Sequence, residues 1–295
     1  MITQASNIEK GVDSGDRMLI TPSKPTKPFL KWPGGKRWLT SRIVSLLDGC
    51  QFRRYFEPFL GGGACFFAYR PRDAVLSDIN GDLINTYIQV KRRPLELIAC
   101  LRQLPISEAT YRSLRSDNPT RNIDRAVRFL YLNRTAFGGI YRLNQNGDFN
   151  VPFGGGGRTP APLWEEDLLI NASRRLRNAS LICGDFEDVL AEARAGDLVY
   201  CDPTYTVTHN NNGFVRYNER NFCWDDQKRL AATCQQVAKR GATVLVSNAD
   251  HERVLELYQS CEVRHFGRMS LLCPDSQKRR PTRELLFVLR PGKNK

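Results

Sequence analysis

Leu198-Val199-Tyr200-Cys201-Asp202-Pro203-Thr204-Tyr205 reads as a short apolar strand that delivers an acid, a rigid proline and an aromatic to its carboxyl end. In open α/β sheets that edge is where ligands sit. The tetrad suits methylation of an exocyclic amine on a nucleobase. Such an amine is a poor nucleophile, because its lone pair is delocalised into the ring. The Asp202 carboxylate and a backbone carbonyl near Pro203 can accept its N–H bonds, drawing the nitrogen toward tetrahedral geometry. Tyr205 can stack on the base, once the base has been flipped out of a duplex. The same four residues also suit an ordinary turn after a strand. The rest of the chain has to choose.

Upstream, Tyr55-Phe56-Glu57-Pro58-Phe59-Leu60-Gly61-Gly62-Gly63-Ala64 reads as strand, glycine turn and helix, the opening of a nucleotide-binding βαβ unit. A second strand, Ala74-Val75-Leu76-Ser77, ends in Asp78, where an acid is placed to hold ribose hydroxyls. Asp78 also suits an N-cap of the helix beginning near Leu83. Before these lies Phe29-Leu30-Lys31-Trp32-Pro33-Gly34-Gly35-Lys36, leading into a helical pattern at Trp38, Leu39, Ile43, Leu46 and Leu47. It can set backbone N–H groups and an ammonium beside an anion, but it lacks the Walker A spacing.

Downstream the α/β pattern resumes with strands at Ser180–Cys183, Asp197–Cys201, Thr243–Ser247, Glu262–Phe266 and Glu284–Leu289. Helices are expected after Asp185-Phe186, over Asp225–Arg240, and from an Asp250 cap to Tyr258. Thr206–Asn221 reads as a long polar loop, and Lys278-Arg279-Arg280 as a basic one.

From Pro94 to about Asn178 the pattern changes to helices around Leu95–Leu104, Tyr111–Leu114 and Ala126–Asn133. Then Arg134 through Pro152, with Asn146-Gly147-Asp148 as its turn, reads as a β-hairpin rich in Arg, Asn, Gln and aromatics. Those side chains read base edges or wedge into a stack. Gly154–Gly157 and Arg158 read as a loop. The fold class is therefore α/β, a Rossmann-like sheet carrying an inserted helical and hairpin subdomain. The boundaries are a leader over 1–26, a catalytic part over 27–93 and 179–295, and an insert over 94–178.

Lys and Arg outnumber Asp and Glu by 44 to 31, a net charge of +13 that favours a polyanionic partner. No apolar run is long enough to cross a membrane, and no signal-peptide pattern opens the chain, so a cytoplasmic protein is expected. Nine cysteines without C-x-x-C spacing read as reduced, buried thiols, and with three histidines they disfavour a metal enzyme.

With tetrad, glycine motif and hairpin in place, the chain from about Pro28 to Pro291 resembles the DNA N6-adenine methyltransferases of the Dam family, the D12 class. The stretches that carry the likeness are Phe29–Lys36, Glu57–Gly63, Phe129–Arg134, Gly147–Phe153 and Val199–Pro203. The resemblance implies a bacterial or phage enzyme, monomeric, acting on double-stranded DNA with S-adenosylmethionine as cofactor and no metal. By it, Trp32, Lys36, Glu57, Phe59, Gly61, Gly63, Asp78 and Asp202 hold the cofactor, and Asp202, Pro203 and Tyr205 are catalytic. Lys31, Arg134, Phe137, Gly138, Arg142, Asn144 and Pro152 meet DNA, with Phe137 as a wedge and GATC as the first expected site. Four departures stand out: Thr204 where the family has a second proline, Pro33 before the glycine pair, Gly138 where an asparagine is common, and the Gly154–Gly157 run. The other readings are an N4-cytosine or protein-glutamine methyltransferase, against which Asp202 and the hairpin argue, and an inactive DNA-binding relative.

Overall fold

The computed structural model describes residues 27–32, 34, 36–47, 50–144, 147–155, 164–206, 222–269 and 281–292. The expected leader, Pro33, Gly35, Asn146, Arg158, most of the Thr206–Asn221 loop and the Lys278-Arg279-Arg280 loop lie outside the described residues.

Among the described residues, seven strands form one sheet. They are β1 (Tyr55–Glu57), β2 (Ala74–Asp78), β3 (Ala179–Cys183), β4 (Leu198–Cys201), β5 (Thr243–Ala249), β6 (Glu262–Met269) and β7 (Pro281–Leu289), in the order β3-β2-β1-β4-β5-β7-β6. The first five are parallel, whereas β7 runs antiparallel to both β5 and β6. Strand order reverses between β1 and β4, which opens a crevice at their carboxyl ends. The reversed β7 brings its early residue Glu284 opposite Ala249, to that same edge.

Strand alternation sorts side chains onto two faces. Tyr55, Leu198, Tyr200 and Leu245 enter one apolar cluster, and Phe56, Val199, Cys201, Val244 and Val246 the other. The first face is covered by α1 (Arg37–Leu46), α2 (Ala64–Tyr69) and α3 (Gly81–Arg92). Behind α3 stand α4 (Pro94–Arg102), α5 (Glu108–Ser116), α6 (Asn122–Thr135) and α7 (Glu166–Leu176). Leu97, Tyr131 and Leu169 from these helices belong to the same cluster as Tyr55 and Leu76, so the inserted segment has no core of its own. The second face carries α8 (Phe186–Leu190), α9 (Trp224–Lys239) and α10 (Glu252–Leu257).

Local chemistry sets the helix starts. Asn80 Oδ1 accepts from the Asp82 and Leu83 N–H groups, so Asn80, not Asp78, caps α3. Ser107 and Asp185 cap α5 and α8, and Pro94 opens α4 at a position whose N–H would have no partner. The expected Asp250 cap is displaced by one residue: His251 Nδ1 accepts from the Arg253 N–H, 3.2 Å away, and starts α10.

The expected hairpin is looser than a ladder and begins later. Arg134 and Thr135 complete α6, and a 3-10 turn follows at Phe137–Gly139. Antiparallel bridges then join Leu143 to Phe149 and Ala136 to Phe153. The eight described cysteines are free thiols, but not all are buried as the sequence implied, since Cys50 and Cys183 are exposed.

Candidate active site

Asp202 leaves β4 at the crevice with its side chain one-fifth exposed. Its Oδ1 accepts from Ser247 Oγ at 2.7 Å and lies 3.0 Å from the Lys36 ammonium. Oδ2 receives no hydrogen bond from the described residues. One carboxylate oxygen is thus fixed, and the other is left to accept from a ligand. Pro203 is buried behind it, and Thr204 is exposed.

Lys36 is the hub of the site. Besides Asp202 it donates to the Tyr205 hydroxyl at 2.9 Å, lies 3.5 Å from Glu284 Oε2, and sits 4.6 Å from the centre of the Tyr205 ring. Burial opposes its charge, yet Asp202, Tyr205 and Glu284 together hold the ammonium well above the ordinary lysine range. The anion expected beside this lysine is therefore supplied by the protein itself. Burial also raises the Tyr205 phenol above its ordinary value, so it serves as a neutral group.

Glu57 at the end of β1 is buried, and its Oε2 accepts from the Tyr55 hydroxyl at 2.8 Å and the Phe66 N–H at 3.0 Å. Burial pushes its carboxyl up to about 8, against the pull of those two donors. At the end of β2, Asp78 accepts from the Gly61 N–H on one oxygen and the Asn80 N–H on the other, both at 3.0 Å. Burial raises its carboxyl too, and these backbone donors oppose the shift.

The glycine turn is shaped by an aromatic neighbour. Gly61 has φ +46, and a Cβ there would meet Trp32 Nε1 at 2.7 Å, so only glycine fits. Trp32 in turn stacks on Tyr141 at 5.5 Å and beyond it on Phe129 at 6.4 Å, joining the turn to the insert. Phe59 stacks on Phe186 at 5.4 Å and meets Phe222 edge-on. Gly63, at φ +66, opens α2. The residues expected to hold a cofactor therefore line the carboxyl edge of β1, β2 and β4 and the segment before α1.

Of the residues expected at DNA, several gather around one turn. Lys31 is exposed, with its backbone N–H and C=O both bonded to the Asn133 side chain. Its aliphatic chain covers Gly139, where a Cβ would come within 2.5 Å of Lys31 Cδ. Phe137 and Gly138 immediately precede that glycine, and Phe137 is 62% exposed, unusual for so large an apolar ring. Arg142 Nε donates to Asn150 Oδ1 at 2.8 Å, and Asn144 ties its side chain to Asp148. Pro152 is exposed, and its carbonyl accepts from the Phe137 N–H.

Arg134 is placed differently. It is buried on α6, with Nη1 3.1 Å from Glu165 Oε1. Ser247, Glu284 and Gln227 contact the tetrad or its lysine, and no sequence signal had singled them out.

This arrangement of an acid-led tetrad, a glycine turn and an aromatic-bearing insert matches, over residues 32–271, the family of D12 class N6 adenine-specific DNA methyltransferases. The chain belongs to that family. The methyltransferase is 38% identical over 248 residues to the Type II methyltransferase M1.LlaDCHI of Lactococcus lactis subsp. cremoris, covering 80% of this chain and 86% of that one. It is 34% identical to the Type II methyltransferase M.MjaIII of Methanocaldococcus jannaschii, covering 89% and 98%. To the DNA adenine methylase of Escherichia coli K12 it is 33% identical, covering 91% and 97%. The enzyme is thus an adenine-specific DNA methyltransferase, and its family implies S-adenosylmethionine as co-substrate. Among the described residues no helix is long and apolar enough to cross a membrane.

Proposed function

We propose that this methyltransferase acts as a monomer on double-stranded DNA, methylating N6 of an adenine flipped out of a GATC site. The reading rests above all on Asp202, whose carboxylate is pinned through Oδ1 at the carboxyl end of β4 while, among the described residues, nothing donates to Oδ2. Asp202 and the carbonyl of Pro203 accept the two N–H bonds of the target amine. Lys36 and Ser247 keep the carboxylate from turning as it does so, so the enzyme works mainly by positioning and desolvation. Tyr205, tethered through its hydroxyl to Lys36, flanks the base.

The residues fit the co-substrate. Trp32, Glu57, Phe59, Gly61, Gly63 and Asp78 hold it: Asp78 receives the ribose and the glycine turn lets the backbone come close. When bound, it supplies a sulfonium-activated methyl group. Residues 27–93 and 179–295 do the chemistry, and 94–178 find the target. Lys31, Phe137, Gly138 and Arg142 form the DNA-facing rim, with Asn144 and Pro152 beside them. Phe137 enters the stack, and Lys31 and Arg142 face base edges.

Mapping modified bases in DNA from a methylation-deficient host that expresses the protein tests this directly. N6-methyladenine confined to GATC is the expected result. The same mark in another short motif overturns the recognition sequence alone. Unmodified DNA, with soluble protein present, overturns methyl transfer and favours the inactive DNA-binding reading.

A further inference from the structure

The carboxyl end of β5 carries two consecutive polar residues, Ser247 and Asn248, both fully buried. Neighbours on a strand point to opposite faces, so they approach the tetrad from two sides. Burying two polar side chains costs free energy unless each is hydrogen-bonded. Both are, and both chains of bonds end on the tetrad.

On one face, Ser247 Oγ is 2.7 Å from Asp202 Oδ1 and 3.1 Å from the Tyr200 hydroxyl. A serine has one proton to give. A carboxylate can only accept it, so Ser247 donates to Asp202 and receives from Tyr200. The relay runs Tyr200 to Ser247 to Asp202. On the other face, Asn248 Nδ2 donates to Gln227 Oε1 at 3.1 Å, and Gln227 Nε2 donates to the Thr204 carbonyl at 3.4 Å. Gln227, on α9, is fully buried as well. Thr204 lacks the fixed φ of a proline. Its carbonyl is instead tethered from behind.

We propose that Ser247 and Asn248 are positioning residues for methyl transfer. Ser247 orients the Asp202 carboxylate, and Asn248, acting through Gln227, holds the loop that aims the Pro203 carbonyl. This rests on the role of Asp202 in the proposed function. Neither residue touches substrate. Their work is done before the reaction, by removing the two rotations that would spoil the geometry of the acceptors.

The test compares Ser247→Ala, Ser247→Thr and Gln227→Met with wild type in single-turnover methyl transfer. Alongside it run KM values for both substrates and 2-aminopurine fluorescence at the target base, which reports flipping. Loss of a hydrogen bond to a charged group predicts a transfer rate about 10- to 100-fold lower for Ser247→Ala. Flipping and both KM values stay near wild type, and Ser247→Thr, which keeps the hydroxyl, restores most of the rate. Gln227→Met slows transfer by about threefold to tenfold, the smaller effect of a neutral bond. An undiminished rate in Ser247→Ala overturns the proposal. So does a loss that Ser247→Thr fails to rescue, or one accompanied by equal loss of flipping, since either marks a folding role. Wild type failing to methylate adenine would refute the parent reading instead, so the two failures are distinguishable.

Discussion

The Lys36 ammonium lies 3.0 Å from Asp202 Oδ1, tying the residue before α1 to the residue after β4 across 166 positions of chain. Glu284 flanks the same ammonium from β7, so two buried or half-buried carboxylates share one cation.

Removing that cation takes the shared ammonium away from both acids. Lys36→Met is expected to lower stability by about 3 kcal/mol, in the range seen when one partner of a buried pair is lost. The raised lysine sets the sign with pH. Its contribution is fully present below its unfolded value of about 10.4 and is lost as pH rises through the folded value. Urea unfolding should therefore show the gap between wild type and variant closing only at strongly alkaline pH.

Asp202→Ala should abolish methyl transfer, by at least about 100-fold, while DNA binding stays largely intact. Filter binding beside a transfer assay checks this. Equal loss of both would mean misfolding and would remove the assignment of Asp202.

Glu57 gives a stability profile of the same sign in a lower pH window. Its folded carboxyl titrates at about 8, above the usual carboxylate range, so the native state holds a proton that the unfolded chain has released. Its contribution is therefore fully present below about pH 4.3, the unfolded value, and is lost as pH climbs toward 8. Glu57→Gln, permanently neutral, should gain stability relative to wild type across that window. Denaturant midpoints for both proteins at pH 5 and pH 8 decide it, and a constant difference would refute a protonated Glu57.

Arg142→Ala should relax site preference, by about 1–3 kcal/mol of discrimination at one base pair, more than it weakens non-specific binding. Competition between cognate and single-mismatch duplexes measures the two separately. An unchanged preference would count against Arg142 as a reader.

Phe137→Ala should leave stability within about 0.5 kcal/mol, because the ring is mostly in solvent. It should reduce the 2-aminopurine signal at the target adenine if the ring enters the stack. Thermal unfolding paired with that fluorescence separates the two effects.

What sequence could and could not reveal follows from which interactions are local. The tetrad strand was legible because an apolar run ending in Asp-Pro needs no partner to be recognised. Asn80 and Asp78 sit two residues apart, both plausible caps, and only geometry shows which side chain meets the helix N–H groups. Arg134 belongs to the helix and not to the hairpin that the local composition suggested. It lies three and four residues after Tyr131 and Leu130, on the buried face of α6, a spacing that could have flagged it. Ser247 and Glu284 were out of reach, since strand pairing brings them to the site and no spacing in the chain records that register.

The insert shares one apolar cluster with the sheet, Tyr131 and Leu97 packing into the same cluster as Tyr55 and Leu76. If residues 94–178 find the target as proposed, specificity is therefore not a detachable cassette. A graft of residues 94–178 onto a relative would arrive without the α3 surface it was shaped against and would be expected to unfold its host. If Lys31, Phe137 and Arg142 meet DNA as proposed, new recognition sequences are more readily reached by changing those side chains one at a time, over an interior that stays constant.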